Sequence, residues 1–303
     1  MKIFITGANG FVGSNLIRFF LKGGHQITAL VRSTAKMPSG FPQGVTPVTG
    51  DPTKSGSWQD SVSGHDVLIN LAGASIFQRW DEKYKQLLRD SRILTTRNLV
   101  AAIPADTASS VTLLSTSAVG YYGPTEDQEL GEDSPPGDNF LARLAIDWEA
   151  EALRAVEKGA RVVITRFGVV LGRGGGALQQ MTLPFRLFVG GPLGSGLQWF
   201  SWIHLDDLCR AAQFVIENRK IHGPINFTAP QPIRNKELAR AIGNILGRPY
   251  FVPAPGFMIK LIMGEFGSVL LEGQRVVPRL LESNGFRFDY PTIQEALGNL
   301  LQD

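Results

Sequence analysis

Three glycines spaced three residues apart follow a short apolar run at the start of the chain. Ile3-Phe4-Ile5 precedes Gly7, Gly10 and Gly13, and residues 14–21 carry apolar side chains at helical spacing. We therefore predict a strand, a tight glycine turn and a helix. In this context the glycines permit the turn, close approach of backbone to a diphosphate, and close packing of helix on strand. A purely structural turn is the alternative interpretation.

The residue after the second predicted strand indicates which dinucleotide would bind. Gln26 to Val31 forms an apolar run that ends at Arg32 and Ser33, and Arg32 lies 19 residues beyond Gly13. An NAD site usually has an acidic residue near this position for the ribose 2′-hydroxyl, whereas an NADP site has arginine for the 2′-phosphate. We predict NADP(H), with Arg32 and Ser33 at that phosphate. A solvated surface arginine is the alternative.

Further apolar, β-branched runs alternate with helical stretches. The predicted strands span residues 45–48, 66–71, 111–115 and 162–165, and residues 81–102 form the clearest helix. This alternation predicts an α/β fold with a doubly wound parallel sheet covered by helices on both faces. Ligands of such sheets lie beyond the carboxyl ends of the strands, so the segments at Asp51, 71–73 and 115–117 should face one crevice.

The chain is long enough for two domains, and its pattern changes from about residue 230. Residues 233–246 and 256–271 are helical in pattern. We predict that residues 1–170 plus about 197–229 form a dinucleotide-binding domain, and that about 171–196 plus 230–303 form a smaller, mainly helical substrate-side domain. Six apolar residues of this segment are expected in the core: Phe257, Met258, Ile259, Leu261, Ile262 and Met263. An exposed apolar face there would instead indicate a partner or a membrane surface.

Composition excludes several classes of function. Thirty Lys and Arg residues against 27 Asp and Glu leave a net charge of +3, which does not indicate nucleic-acid binding. Cys209 is the only cysteine, and the four histidines are scattered, so we predict no disulfide and no metal site. Cys209 is expected in the core. The sequence lacks an apolar run of about 18 residues, and we predict a cytoplasmic protein without a membrane span. The oligomeric state stays open.

Several motifs together resemble a known family. The glycine turn, residues 70–73 and residues 115–123 resemble the extended short-chain dehydrogenase/reductases, the epimerase/dehydratase group. An atypical branch of that group, whose members carry a C-terminal domain of unknown function, resembles this chain at Arg79-Trp80, Ser91-Arg92, 132–137, 166–172, 202–207 and 285–288. The resemblance covers essentially the whole chain. It implies a Rossmann fold, a nicotinamide cofactor and an oxidoreductase or epimerase.

The expected cofactor site combines the glycine turn, the strand ends and the family motifs. The residues predicted to contact NADP(H) are Gly7, Asn9, Gly10, Phe11, Val12, Gly13, Arg32, Ser33, Asp51, Leu71, Ala72, Gly73, Ser115 and Arg166.

The family chemistry normally uses a serine and a Tyr-x-x-x-Lys helix, in which tyrosine is the acid or base and lysine lowers its pKa. Ser117 matches the serine, but none of the five tyrosines has lysine four residues later, and Phe140 and Leu144 take the two places. Tyr121 or Tyr122 could still act as general acid when a carbonyl is reduced. Packing of the turn is the alternative role for these tyrosines.

On the substrate side, the resemblance places residues 184–202 along the pocket. Gln198 and Trp202 are therefore predicted substrate contacts, with core packing as the alternative. The segment Gly172-Arg173-Gly174-Gly175-Gly176 lacks a following Gly-Lys-Ser/Thr, so we predict a crossing loop instead of a phosphate-binding loop.

These observations predict an NADP(H)-dependent oxidoreductase or epimerase-like enzyme that acts on a small carbonyl or hydroxyl substrate without the usual Tyr-x-x-x-Lys pair. The alternative is a catalytically weak, regulatory NADP(H)-binding protein, because some cyanobacterial and plastid members that resemble this chain carry a cell-division label. The missing pair favours the regulatory protein, whereas Ser117 and the glycine-lined pocket favour turnover.

Overall fold

A computed structural model gives the structure of the chain and describes residues 1–33 and 42–302. The strands are β1 (Lys2–Thr6), β2 (Gln26–Val31), β3 (Val45–Thr49), β4 (Val67–Asn70), β5 (Thr112–Ala118), β6 (Glu129–Leu130), β7 (Arg161–Phe167), β8 (Val169–Leu171), β9 (Trp199–Phe200), β10 (Trp202–His204), β11 (Gly223–Phe227), β12 (Ile233–Arg234) and β13 (Arg275–Val276). The α-helices are α1 (Phe11–Lys22), α2 (Glu82–Ala101), α3 (Phe140–Glu157), α4 (Gly176–Arg186), α5 (Leu205–Glu217), α6 (Asn235–Leu246), α7 (Gly256–Met263), α8 (Glu265–Leu271), α9 (Arg279–Ser283) and α10 (Ile293–Leu301). Short 3₁₀ helices cover Ser57–Val62, Ala108–Ser110 and Val119–Tyr122.

Seven strands form one parallel sheet in the order β11-β7-β5-β4-β1-β2-β3. The chain starts at β1, adds β2 and β3 on one side, and then returns to place β4 on the other side. The strand order therefore reverses between β1 and β4, and ligands of such sheets bind at the carboxyl ends beside this reversal. The predicted α/β fold with a doubly wound, Rossmann-type parallel sheet is confirmed.

Alternating side chains of β1 explain why helices cover both faces of the sheet. Ile3 and Ile5 join a core packed by α1 and α5, whereas Phe4 joins the core packed by α2 and α3. None of the three has exposed surface. Cys209 on α5 lies in the first core, as predicted, and burial raises the pKa of its thiol to about 12. The thiol is therefore protonated at neutral pH.

The C-terminal region is mainly helical, as the sequence predicts. A third core brings α6 and α10 together with Trp202 and residues of α4. The division of the chain into a dinucleotide-binding domain (1–170 plus about 197–229) and a substrate-side domain (about 171–196 plus 230–303) stays a prediction. In the described part of the chain, no helix has both the length and the hydrophobicity to cross a bilayer.

Segment 256–271 differs from the prediction in two ways. It is two helices, α7 and α8, because Gly264 between them has φ +62° and forms a parallel bridge with Trp80. The apolar side chains of α7 are also not all in the core: Phe257 is 73% exposed and Leu261 is 73% exposed, while Ile259 is buried. Ile259 is the buried residue of α7, and the helix also carries Lys260, so several of its apolar side chains lie at the surface.

The break at Gly264 predicts opposite effects of alanine at two glycines. Gly264→Ala should lower the free energy of unfolding by about 1–2 kcal/mol, because an L side chain is strained at this positive φ. Gly298→Ala, inside α10 with room for a methyl group, should raise it by up to about 1 kcal/mol. Urea denaturation measures both. Equal effects of the two substitutions would contradict the assigned helix break.

Candidate functional site

The turn between β1 and α1 brings three pieces of backbone into contact. Gly7 has φ +70°, and a Cβ there would lie 2.7 Å from the carbonyl carbon of Leu71. At Gly13 a Cβ would overlap the carbonyl oxygen of Gly7. Gly10 caps α1, and its N–H donates to the Gly7 carbonyl at 2.9 Å. A side chain at Gly7 or Gly13 would therefore separate α1 from β1 or displace the loop after β4.

The N-terminal end of α1 is electropositive. Its first turn contains no acidic residue, and the N–H groups of Phe11 and Val12 have no carbonyl one helical turn earlier to bind. A cavity of about 340 Å³ opens at this end. It is lined by Asn9, Gly10, Phe11, Ser14, Asn15, Arg18, Arg173, Gly174 and Gly175. This lining includes two guanidinium groups and no carboxylate, so the cavity suits an anion.

The ends of β2 and β3 carry the residues predicted for the adenosine side of a dinucleotide. Arg32 follows β2 with an exposed side chain, and Ser33 is half-buried. After β3, Asp51 Oδ1 accepts hydrogen bonds from the hydroxyl of Thr53 at 2.7 Å and from its N–H at 3.0 Å. The Thr53 hydroxyl is the main cause that lowers the pKa of Asp51, and the nearby charges of Lys54 and Arg32 lower it further. Asp51 is therefore ionised at neutral pH.

A buried threonine fixes the loop after β4. Thr6 Oγ1 accepts hydrogen bonds from the N–H groups of Leu71 at 3.2 Å and Ala72 at 3.3 Å. It donates to Asn70 Oδ1 at 2.7 Å. Gly73, the next residue, is exposed. This arrangement positions residues 71–73 at the reversal between β1 and β4.

The Asn70 amide extends this contact into the floor of the crevice. Its Nδ2 donates to Thr96 Oγ1 at 2.8 Å and to Ser115 Oγ at 3.4 Å. Trp148 Nε1 also donates to Thr96 Oγ1, at 2.8 Å. Ser115, a predicted cofactor contact, is buried in this network beneath the crevice surface.

Ser117 and Arg166 both bind a residue that the sequence analysis missed. Ser117 Oγ donates to Glu149 Oε1 at 2.6 Å, and Arg166 donates from Nε and Nη2 to the two Glu149 oxygens, each at 2.8 Å. Arg166 is 3% exposed and Glu149 is 7% exposed. Ser117, the predicted catalytic serine, and Arg166, a predicted cofactor contact, are therefore held in a buried ion-pair network.

A sequence signal for Glu149 exists. On α3, Ala142, Ala145, Glu149 and Ala152 follow one another at spacings of three or four residues and are all buried. A carboxylate among small side chains on one helix face indicates a buried charge that needs a partner. The sequence does not identify that partner, because Arg166 arrives from β7.

The two predicted catalytic tyrosines have different surroundings. The Tyr122 hydroxyl donates to Asn226 Oδ1 at 2.7 Å and accepts from Arg166 Nη1 at 2.9 Å. Burial raises the pKa of Tyr122 to about 12, and the side chain is inaccessible to a ligand at 3% exposure. Tyr121 is only half-buried, and the Arg166 guanidinium lies 3.4 Å from the centre of its ring. Tyr121 is therefore the tyrosine of this pair that a substrate could reach.

An apolar cluster includes the places of the family's Tyr and Lys. Phe140 packs against Trp80, with ring centroids 5.6 Å apart, and Trp80 packs against Phe266 of α8 at 5.5 Å. Leu144 and Leu88 belong to the same cluster. Tyr84 also packs against this cluster, and the Lys85 ammonium lies 5.3 Å from the centre of the Phe140 ring.

The two predicted substrate contacts lie in different environments. Trp202 has no exposed surface, and its Nε1 donates to Gln231 O at 3.1 Å inside the third core. Gln198 lines a second cavity of about 630 Å³, together with Thr125 and Arg234. Its Nε2 donates to backbone oxygens in the loop before β9 and at the end of α8. Of the two residues, Gln198 alone borders this cavity.

The fold and the turn define a class: a Rossmann-type α/β protein with a dinucleotide-type crevice. Comparison with known proteins identifies the family within this class. Residues 3–227 match the NAD dependent epimerase/dehydratase family, and residues 254–300 match a domain of unknown function, DUF1731. The chain belongs to the NAD dependent epimerase/dehydratase family, as the motifs predicted.

Relatives match over nearly the full length. The chain is 41% identical to the Epimerase family protein SDR39U1 homolog, chloroplastic, of Arabidopsis thaliana, over 100% of this chain and 87% of the relative. It is 37% identical to Epimerase family protein YfhF of Bacillus subtilis, over 100% and 99%. The crystal structure of human epimerase family protein SDR39U1 with NADPH has a TM-score of 0.86 and 35% identity, and covers 99% of both chains.

The ion pair at the crevice floor predicts a large loss of stability when one charge is removed. Glu149→Gln should lower the free energy of unfolding by about 3–5 kcal/mol, because the buried Arg166 guanidinium loses its counter-charge. Asp147→Asn, on the same helix in a half-exposed pair with Arg89, should cost less than about 1 kcal/mol. Chemical denaturation of both variants measures the difference. A loss below about 1 kcal/mol in both variants would refute the assigned importance of this pair.

Proposed function

We propose that the protein is an NADP(H)-dependent oxidoreductase or epimerase-like enzyme that acts on a small carbonyl or hydroxyl substrate. One observation carries the proposal: Arg32 follows the end of β2, the neighbour of β1 in the sheet, the first turn of α1 contains no acidic residue, and no acidic residue occurs between Gly13 and Gly50. The human relative solved with NADPH supports this cofactor, at 35% identity. The lone cysteine favours a cytoplasmic protein.

The residues of the crevice fit such a cofactor. The N–H groups at the start of α1 suit a diphosphate, and Arg32 suits a 2′-phosphate. Leu71 to Gly73 would line the wall between them and the catalytic end. When bound, NADPH supplies a hydride to a substrate carbonyl.

The proton for the substrate oxygen must come from this chain or from water. We assign it to the Tyr121 hydroxyl, which is useful in its protonated form when a carbonyl is reduced. Arg166 lies against the Tyr121 ring, and Ser117 and Tyr122 hold Arg166 through Glu149 and a direct hydrogen bond. In this scheme Ser117, Tyr122 and Arg166 are positioning residues and Tyr121 is the acid.

A second candidate function is a catalytically weak, regulatory NADP(H)-binding protein. The observation that favours it is the apolar cluster at Phe140 and Leu144. A tyrosine with the ordinary pKa of about 10 costs about 4 kcal/mol to ionise at pH 7 without such a lysine, which slows any step that needs phenolate. NADPH binding without turnover of any carbonyl compound would support this candidate.

Cofactor preference tests the proposal at Arg32. Arg32→Asp should raise the Kd for NADPH about 10- to 100-fold, because a charge-assisted contact with the 2′-phosphate is lost. The Kd for NADH should change less than about three-fold. Lys22→Asp makes the same charge change at the far end of α1 and should leave both constants unchanged. Titration of the cofactor's fluorescence measures them, and equal affinity of the wild-type protein for NADPH and NADH would overturn the NADP(H) assignment.

The two tyrosines should respond differently to removal of the hydroxyl. Tyr121→Phe should reduce NADPH oxidation at least ten-fold across a panel of small aldehydes and ketones, with little change in stability. Tyr122→Phe should lower the free energy of unfolding by about 1–3 kcal/mol, because Asn226 and Arg166 lose a buried partner. Steady-state kinetics and urea denaturation separate the two effects. Unchanged turnover in Tyr121→Phe would eliminate Tyr121 as the acid.

A further inference from the structure

The glycine-rich segment after β8 packs on the N-terminal end of α1. A Cβ at Gly172 would lie 2.8 Å from Phe11 Cζ, and one at Gly176 would lie 2.7 Å from Phe11 Cε1. We predicted a crossing loop for this segment. The contact with Phe11 makes the segment the second wall of the 340 Å³ cavity, and Arg173 lies on that wall.

Arg173 connects this cavity to the C-terminal helix. Its Nε donates to Asn299 O at 3.1 Å, and its Nη2 donates to the carbonyl oxygens of Asn299 and Gln302. These carbonyls are at the end of α10, where backbone oxygens lack partners within the helix and the dipole is negative. Nη1 donates to no residue in the ranges 1–33 and 42–302. The guanidinium therefore retains donors for another acceptor.

The two charged residues that line this cavity, Arg173 and Arg18, are both arginines. Arg18 lines the same cavity, and its Nη1 donates to the neutral Asn15 side chain at 3.1 Å. Within the described ranges, neither arginine lies within 4.0 Å of a carboxylate. Two guanidinium groups beside the positive end of α1 favour a ligand with closely spaced negative charges, which a diphosphate provides.

We infer that Arg173 is a further binding residue for the cofactor's diphosphate and joins that group to the C-terminal end of α10. The inference rests on the proposed binding of NADP(H), and it assigns Arg173 a role separate from that of Arg32. Arg32 would select the 2′-phosphate, whereas Arg173 would hold the diphosphate that NADPH and NADH share. The loop after β8 then borders the cofactor's diphosphate at the N-terminal end of α1.

Two ligands distinguish these roles. In Arg173→Gln, the Kd for NADPH should rise about ten-fold, whereas the Kd for adenosine 2′-monophosphate, which lacks a diphosphate, should stay within about two-fold of the wild-type value. Arg32→Asp should weaken both ligands. Arg186→Gln, an arginine in the last turn of α4, should change neither. Calorimetry measures NADPH, and competition against NADPH measures the weaker fragment.

The outcomes separate the inference from the proposed function. If wild-type protein does not bind NADPH, the proposed function fails and the inference fails with it. If the wild type and Arg173→Gln bind NADPH equally, only the inference fails, and a lower Tm in that variant would then identify Arg173 as a structural cap of α10. Arg173→Lys keeps the charge but not the planar guanidinium, so its Kd for NADPH should lie between those of the wild type and Arg173→Gln. If Arg173→Gln does not fold, Arg173→Lys and Arg173→Ala take its place. A Kd for NADPH equal to the wild-type value in both of these variants would overturn the inference.

Discussion

A buried ion pair between Glu149 and Arg166 fixes the polar side chains at the floor of the crevice. Removing two charges from water is unfavourable, and it is tolerated here because both carboxylate oxygens accept from the guanidinium and Ser117 adds a third hydrogen bond. Arg166 Nη1 donates to the carbonyl of Glu132 and to the hydroxyl of Tyr122, which in turn donates to Asn226 Oδ1. These polar groups pair with one another, so the floor holds its shape through mutual contacts and has few donors to spare for a ligand.

The same network holds the C-terminal region against the sheet. Glu132 Oε1 accepts from the N–H of Asn226 at 3.1 Å and from the N–H of Leu280 at 3.2 Å. Burial raises the pKa of Glu132, although these N–H groups oppose that effect. Nearby, Ser201 Oγ accepts from the N–H of Val276 and donates to the carbonyl of Gln274. The positions of β13 and α9 therefore depend on Ser201, just before β10, and on Asn226 of β11, which joins the buried network through Tyr122.

Local patterns were enough to predict the sheet and the turn, because the alternation of apolar residues and the glycine spacing are both visible in short stretches of sequence. Ile3 and Ile5 alternate with Phe4 across β1, and Gly13 packs against Gly7 within the same turn. The close approach of Leu71 to Gly7, by contrast, is visible only in the fold. Contacts between distant segments were not predictable in this way. Arg166 resembles a ligand contact in sequence, yet the pairing of β7 with β5 places it beside Ser117, and both residues bind Glu149 of α3.

Contacts between segments far apart in sequence also determine which of the predicted substrate residues is buried. Trp202 lies among glycines and aromatic residues that suggest a pocket wall, but α6 and α10 enclose it. The break at Gly264 depends on pairing with Trp80, which lies far away in sequence. A single sequence indicates that a glycine is present, but the pairing partner that makes a positive φ favourable there is visible only in the fold.

The crevice beside the glycine turn and the apolar cluster around Phe140 meet at the loop after β4, and Arg92 contacts that loop. Its Nη2 donates to the carbonyl of Ala74 at 3.0 Å, and a Cβ at Gly73 would lie 3.2 Å from its Cζ. Burial lowers the pKa of Arg92 to about 10, so the guanidinium is still charged at neutral pH. Ala74 packs on the apolar cluster that contains Phe140, while Gly73 is exposed at the reversal between β1 and β4. Because Arg92 contacts both residues, the loop after β4 keeps its position relative to the crevice and to the apolar cluster at the same time.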